Sequence, residues 1–216
     1  MMNIIKYYFP CPKYYDKKKC NDVYKKLLSK VQFSHDSITF MTKKVDAKII
    51  TMIIISHLNQ LNLDHKKIII TDATAGIGGN TLSFAQFFNK INSVEINYKT
   101  FMMLRKNIDT YRFTNVHLYN YDYIKVSNNI EQNIVFIDPP WGGKDYKKHD
   151  IITLYLSQIK IEKICIQLLK KNNMVVLKLP LNYDFLHIYG IIHKTNIKIY
   201  VHELPKMFIL FIHKTK

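Results

Sequence analysis

The chain has 216 residues, which suits one domain with at most a short arm, and 48% of them are hydrophobic, which suffices for a buried core. No apolar run reaches the roughly 18 residues of a membrane span, and Cys11, Cys20 and Cys165 lack the number and spacing of a disulfide framework or a metal site. A formal charge of +16 favours a polyanionic partner, most commonly nucleic acid.

Arginine stands only at positions 105 and 112, so the positive charge is nearly all lysine. Lysine meets phosphate as a point charge and is poorly suited to bidentate base readout. A coding bias toward Lys, Ile, Asn and Tyr is the competing explanation of the charge. No secretory pattern opens the chain, so an intracellular protein, cytoplasmic or nuclear, is expected.

Residues 1–40 form a basic, tyrosine-rich arm with one expected helix over 21–30. Val45, Ile49, Met52, Ile53, Leu58 and Leu61 recur at helical spacing over 43–61, after a candidate cap at Thr42. The apolar run 68–71 predicts a buried strand ending at a glycine-rich turn. Helix is then expected over 80–88, strand over 93–96, helix over 99–111, and strands over 116–120 and 134–137. A helix over 153–171 and a strand over 174–179 follow. The last two runs, 194–202 and 207–213, turn around Pro205 and predict an antiparallel hairpin. Alternation of strand and helix from 68 to 180 predicts a doubly wound, mostly parallel sheet, and the arm 1–40 is set apart from a domain over 41–216.

Two segments carry chemistry. The first is the turn Asp72-Ala73-Thr74-Ala75-Gly76-Ile77-Gly78-Gly79-Asn80-Thr81. Its glycines let a ligand approach the backbone, and the helix behind it offers unpaired N–H groups. Glu95 follows Gly76 by 19 residues, where a carboxylate suits the two hydroxyls of a ribose. A dinucleotide site has the same spacing, but here Thr81 replaces the third glycine and Asp72 precedes the loop. Those departures favour S-adenosylmethionine, whose amino-acid end Asp72 would meet. Asp122, after the strand over 116–120, is placed to accept from the adenine amine.

The second segment is Asp138-Pro139-Pro140-Trp141-Gly142-Gly143, fed by the apolar run 134–137. Two prolines fix the backbone and give up their N–H groups. The carboxylate and the proline carbonyls accept hydrogen bonds from an amino group on a flat ring, and the only tryptophan of the chain stacks on that ring. This layout suits transfer of a group to an exocyclic amine.

Together these segments resemble the trimethylguanosine synthase family, which methylates the N2 amine of the 7-methylguanosine RNA cap. The likeness covers roughly residues 33–213, from Phe40-x-Thr42 to Leu179-Pro180-x-Asn182, and includes Gly142-Gly143-x-Asp145-Tyr146. It implies a class I S-adenosylmethionine-dependent methyltransferase fold with a seven-stranded sheet. It adds Phe40, Thr42, Ala73, Asn80 and Thr81 to Asp72, Gly76, Gly78, Glu95 and Asp122 as cofactor-binding residues. It implies Asp138, Pro139, Pro140 and Trp141 as catalytic residues, with Trp141, Lys144 and Asn182 on the cap.

Two departures stand out. Animal members commonly carry Ser where Asp138 stands, and the family's arginine before Asn182 is Leu181 here. The expected partner is capped RNA, acted on by a monomer without metal or membrane. Two other readings remain open: a guanine-N2 or adenine-N6 methyltransferase of internal RNA or DNA bases, and an inactive RNA-binding relative.

Overall fold

The structure is a computed structural model that describes residues 2–11, 20–171, 173–192 and 196–214. The chain divides into two compact units, Met1–Tyr123 and Ile124–Lys216.

The first unit opens with helices α1 (Met2–Tyr8), α2 (Cys20–Leu28), α3 (His35–Phe40) and α4 (Lys44–Gln60). Three parallel strands follow, β1 (Ile69–Asp72), β2 (Lys90–Val94) and β3 (Val116–Tyr119), with α5 (Gly79–Phe84) and α6 (Tyr98–Tyr111) between them. Their order is β3-β2-β1, with Ile69 opposite Lys90 and Ile91 opposite Val116. Strand β2 begins earlier than the sequence suggests. Its polar Asn92 and Ser93 hide the start, yet both are buried, because Asn92 Nδ2 donates to Thr71 Oγ1 at 3.1 Å and Ser93 Oγ shares a hydrogen bond with Thr81 Oγ1 at 3.0 Å.

The N-terminal helices share this unit's core. Ile5, Phe9, Tyr24, Leu27 and Leu28 cluster with Leu82, Leu104 and Ile108. Tyr24 Oη donates to the Phe9 carbonyl, and Tyr111 Oη donates to the Pro10 carbonyl at 2.6 Å. Thr42 does not cap α4. Lys43 is the cap residue, without a side-chain hydrogen bond, and the buried Thr42 hydroxyl accepts from Asn80 Nδ2 at 3.1 Å.

In the second unit, β4 (Ile134–Ile137) and β7 (Met174–Leu179) pair in parallel and are buried throughout. Strands β8 (Ile197–Leu204) and β9 (Met207–Lys214) form the expected antiparallel hairpin, and the order is β4-β7-β9-β8. The expected helix over 153–171 is only partly right. A small hairpin of β5 (Tyr155–Leu156) and β6 (Ile159–Lys160) precedes α8 (Ile161–Lys170). Ser157 and Gln158 take φ of +50° and +65°, the left-handed pair that a two-residue hairpin turn requires. A helix the sequence reading omitted, α9 (Phe185–Ile192), follows β7. No described helix is long and apolar enough to cross a membrane. Three parallel strands in one unit and four strands in the other, the last two antiparallel, supply the seven strands of the class I methyltransferase fold.

One close approach fixes the start of α5. A Cβ on Gly79 would lie 3.0 Å from Met41 Cγ, 3.0 Å from the Thr42 carbonyl oxygen and 3.1 Å from the Thr42 nitrogen. Only a residue without a side chain lets the 41–42 backbone cross there. Gly79→Ala is therefore expected to destabilise the protein by about 1–3 kcal/mol, seen as a lower midpoint in thermal denaturation. An unchanged midpoint would show that residues 41–42 yield without penalty.

Candidate active site

The glycine turn is held from three sides within the first unit. Asp72 ends β1 fully buried, and its Oδ2 accepts from the Thr81 hydroxyl at 2.7 Å. The Ala75 N–H donates to the Val94 carbonyl at 2.9 Å, tying the turn to the end of β2. Asn107 on α6 is wholly buried. Its Nδ2 donates to the carbonyls of Ile77 and Gln32, both at 2.9 Å, and its Oδ1 accepts from the Gln32 N–H at 2.7 Å. Asn107 thus joins the glycine turn to the segment before α3, a link invisible in the sequence because a buried Asn in a helix reads as a surface residue.

Glu95 stands just past β2. Its Oε2 accepts from the Gly76 N–H at 2.9 Å and its Oε1 from the Asn97 N–H at 2.7 Å. The carboxylate has about four lone-pair sites in all, so it keeps acceptor capacity beyond these bonds. Burial raises the Glu95 carboxyl above its usual 4.5, while the N–H bonds from Asn97, Gly76 and Ile96 oppose that shift. Phe40 ends α3 with its ring exposed, Thr42 is buried against Asn80, and Ala73 is buried beside Asp72. Asp122 directly precedes the short helix α7 (Tyr123–Val126).

The proline turn is built in the second unit. Strand β4 ends at Ile137; then Asp138 is half-buried, Pro139 buried, Pro140 exposed and Trp141 half-buried. Gly142 turns the chain with φ of +93°, a conformation a side chain would strain, into a 3-10 turn over Gly143–Lys148. Tyr146 from that turn meets Trp141 edge to face, with ring centroids 5.2 Å apart at 77°. The indole Nε1 of Trp141 is buried with no hydrogen-bond partner.

Sequence reasoning missed Lys178. It sits inside β7, a strand buried at every position, and is only 7% exposed. Its Nζ lies 2.6 Å from Asp138 Oδ2 and 5.0 Å from the centroid of the Trp141 ring. The available signal was a lone lysine in the run Met174-Val175-Val176-Leu177-Lys178-Leu179, since a charge inside a buried strand must have a partner.

Asn182 has work of its own. Its Nδ2 donates to the carbonyls of Tyr146 and His149, each at 2.8 Å, while its Oδ1 is buried without a partner. It clamps the turn that carries Tyr146. The next residue, Tyr183, donates to Glu162 Oε1 at 2.6 Å from a buried position, and burial followed by that bond pushes the phenol well up. Burial likewise pushes up the Cys165 thiol of α8. Leu181 is half-exposed, and the Lys144 side chain lies outside the described residues. On the same turn, Lys147 Nζ lies 5.9 Å from the Tyr146 ring centroid and Lys148 pairs with Asp145 at 2.5 Å.

Residues 67–209 match the RNA cap guanine-N2 methyltransferase family. The chain belongs to that family. It is 34% identical to an uncharacterized protein of Acanthamoeba polyphaga mimivirus over 87% of this chain and 80% of that one. It is 30% identical to the trimethylguanosine synthase of Saccharomyces cerevisiae over 53% of this chain, and 29% identical to that of Schizosaccharomyces pombe over 58%. It spans only 39% and 56% of the lengths of those two yeast synthases. Among solved structures, a precorrin-6y C5,15-methyltransferase of Geobacter metallireducens has a TM-score of 0.59 at 14% identity, covering 87% of this chain and 94% of that one. A T. thermophilus 16S rRNA N2 methyltransferase, solved with AdoMet and guanosine, has a TM-score of 0.57 at 14% identity, covering 85% of this chain and 44% of that one.

This methyltransferase uses S-adenosylmethionine, and its residues fit that cofactor. The Glu95 carboxylate suits a diol, nothing stands within 4 Å of a Cβ position at Gly76, and Asn80 Oδ1 is buried without a partner. A carboxylate binds ribose hydroxyls as the anion. Because burial raises the Glu95 carboxyl, cofactor affinity is expected to fall on acidification at a pH above the ordinary carboxylate value of 4.5. For the protein alone the linkage is opposite: this group's stabilisation is complete below its unfolded value and is lost as pH rises through the raised folded one. Glu95→Gln should flatten the acid limb and weaken binding roughly tenfold or more, read by isothermal titration across pH. An equal acid limb in both proteins would remove Glu95 from the cofactor site.

Proposed function

We propose that this enzyme methylates the exocyclic N2 amine of the 7-methylguanosine cap of RNA. The observation that carries the reading is Trp141 behind the Asp138-Pro139-Pro140 turn at the end of a fully buried strand, with Tyr146 packed edge-on against it. The family match and the net charge of +16 support it.

Guanine N2 is a poor nucleophile because its lone pair is shared with the ring. Placement and loss of water are what the protein supplies. S-adenosylmethionine provides the electrophilic methyl. Glu95 holds the ribose, and Asp122 accepts from the adenine amine. Asp138 and the carbonyl of Pro139 or Pro140 accept from the two N–H groups of the acceptor amine. They orient the nitrogen lone pair and stabilise the positive charge that develops on it. Trp141 stacks on the base. Lys144 and the chain's general lysine excess attract the phosphates of the cap.

One observation favours a second reading. Asp138 brings the motif closer to the Asp/Asn-Pro-Pro-aromatic pattern of amino methyltransferases generally, where animal cap enzymes commonly carry Ser. The competing substrate is a guanine or adenine within an RNA or DNA chain.

The two readings separate on charge. The ring of 7-methylguanine is cationic, and a cation over an indole face gains about 1–2 kcal/mol when partly desolvated. That gain corresponds to roughly a tenfold preference in kcat/KM for a cap dinucleotide carrying the N7 methyl over one without it. Trp141→Ala should remove most activity, and Trp141→Phe should retain part. Equal use of both dinucleotides, or faster methylation of an internal base, would favour the second reading.

Asp138→Ala is expected to lower kcat by about a hundredfold while leaving S-adenosylmethionine affinity within about threefold. Cofactor titration beside single-turnover methyl transfer measures both. Near-normal turnover would leave the proline carbonyls as sufficient acceptors.

A further inference from the structure

We infer that Lys178 is a specificity-determining residue, and that its ion pair with Asp138 sets how strongly Trp141 discriminates a cationic from a neutral purine. This rests on the proposed binding of a purine against Trp141. Three side chains of the second unit carry the inference. Lys178 Nζ lies 2.6 Å from Asp138 Oδ2 and 5.0 Å from the indole centroid, and both charged side chains are largely buried, at 8% and 16% exposure. The indole therefore already has a cation over its ring. A second cation stacked on it gains attraction from the ring and suffers repulsion from the ammonium. Asp138 offsets that repulsion, because the pair is neutral as a unit.

The balance makes opposite predictions for the two partners. Without the ammonium, a partly buried carboxylate is left beside the base, and a cationic purine is favoured further. Without the carboxylate charge, the ammonium is left, and a cationic purine is disfavoured. At an order of 8 Å between ammonium and base and an effective dielectric near 20, one unbalanced charge changes the preference roughly tenfold after screening. Removing both charges restores neutrality, and replacing a buried pair by apolar groups is often tolerated.

The chain's single tryptophan is Trp141, so its fluorescence reports this site alone. The experiment titrates the full chain with 7-methylguanosine triphosphate and with guanosine triphosphate and takes the ratio of the two dissociation constants. The variants are Lys178→Met, Asp138→Asn, the double variant and Lys178→Arg. S-adenosylmethionine titration of the same samples establishes that each is folded. The ratio should rise about tenfold in Lys178→Met and fall about tenfold in Asp138→Asn. It should return to within about threefold of the wild type in the double variant and in Lys178→Arg. Where Lys178→Met fails to fold, Asp138→Asn against the double variant makes the same comparison without an uncompensated carboxylate. Ratios that stay within about twofold throughout, or that move in one direction for both single variants, overturn the inference while leaving the cap reading standing. A wild type that binds both nucleotides equally, or neither, overturns the cap reading and this inference together.

Discussion

Strands β1, β2, β3 and β4 each lead into an acidic residue, Asp72, Glu95, Asp122 and Asp138 respectively. A carboxylate at the end of a buried strand must be compensated, since an uncompensated charge in such a place costs several kcal/mol. Three of the four are compensated in different ways. Asp72 takes a side-chain hydroxyl, Glu95 takes backbone N–H groups, and Asp138 takes an ammonium. The compensation settles what each carboxylate has left to offer a ligand.

For Asp72 the bond to Thr81 fastens the strand to the helix that follows the glycine turn. Its first task is to shape that turn. Glu95 accepts N–H bonds from Gly76 and Asn97, so one side chain sets the backbone of the loop before it and of the helix cap after it. The same economy appears at Asn182, whose amide nitrogen clamps the turn carrying Tyr146, and at Asn107, whose two polar ends join the glycine turn to residue 32.

Asp138 differs because its partner carries a full charge. A lysine on a strand of valines and leucines has no route to water except along its own stem, and 7% exposure shows that it does not take one. The ammonium holds the carboxylate beside the proline turn and also meets the tryptophan face. A carboxylate, an indole ring and a buried cation become one electrostatic unit. The electrostatics of the proline turn therefore belong to two residues of the turn and one of β7, and cannot be assigned to the motif alone.

The sequence by itself determined the broad alternation of strand and helix from residue 68 to 180, the glycine turn, the placement of Glu95, the Asp-Pro-Pro-Trp turn and the C-terminal hairpin. These are local features: apolar runs, glycines, prolines and fixed spacings that act over a few residues. Tertiary structure alone decided that Lys178 lies against Asp138, 40 residues earlier in the chain, and that Asn107 reaches residue 32, 75 residues away. It also decided that Thr42 bonds Asn80 and does not cap α4, that a hairpin interrupts the expected helix over 153–171, and that Phe9 and Leu28 of the presumed arm are buried in the core of the first unit. The reason is the same in each case. A polar or charged group at an interior position declares that it needs a partner, but which partner it finds depends on the pairing of strands and packing of helices distant in sequence, where residue spacing carries no information.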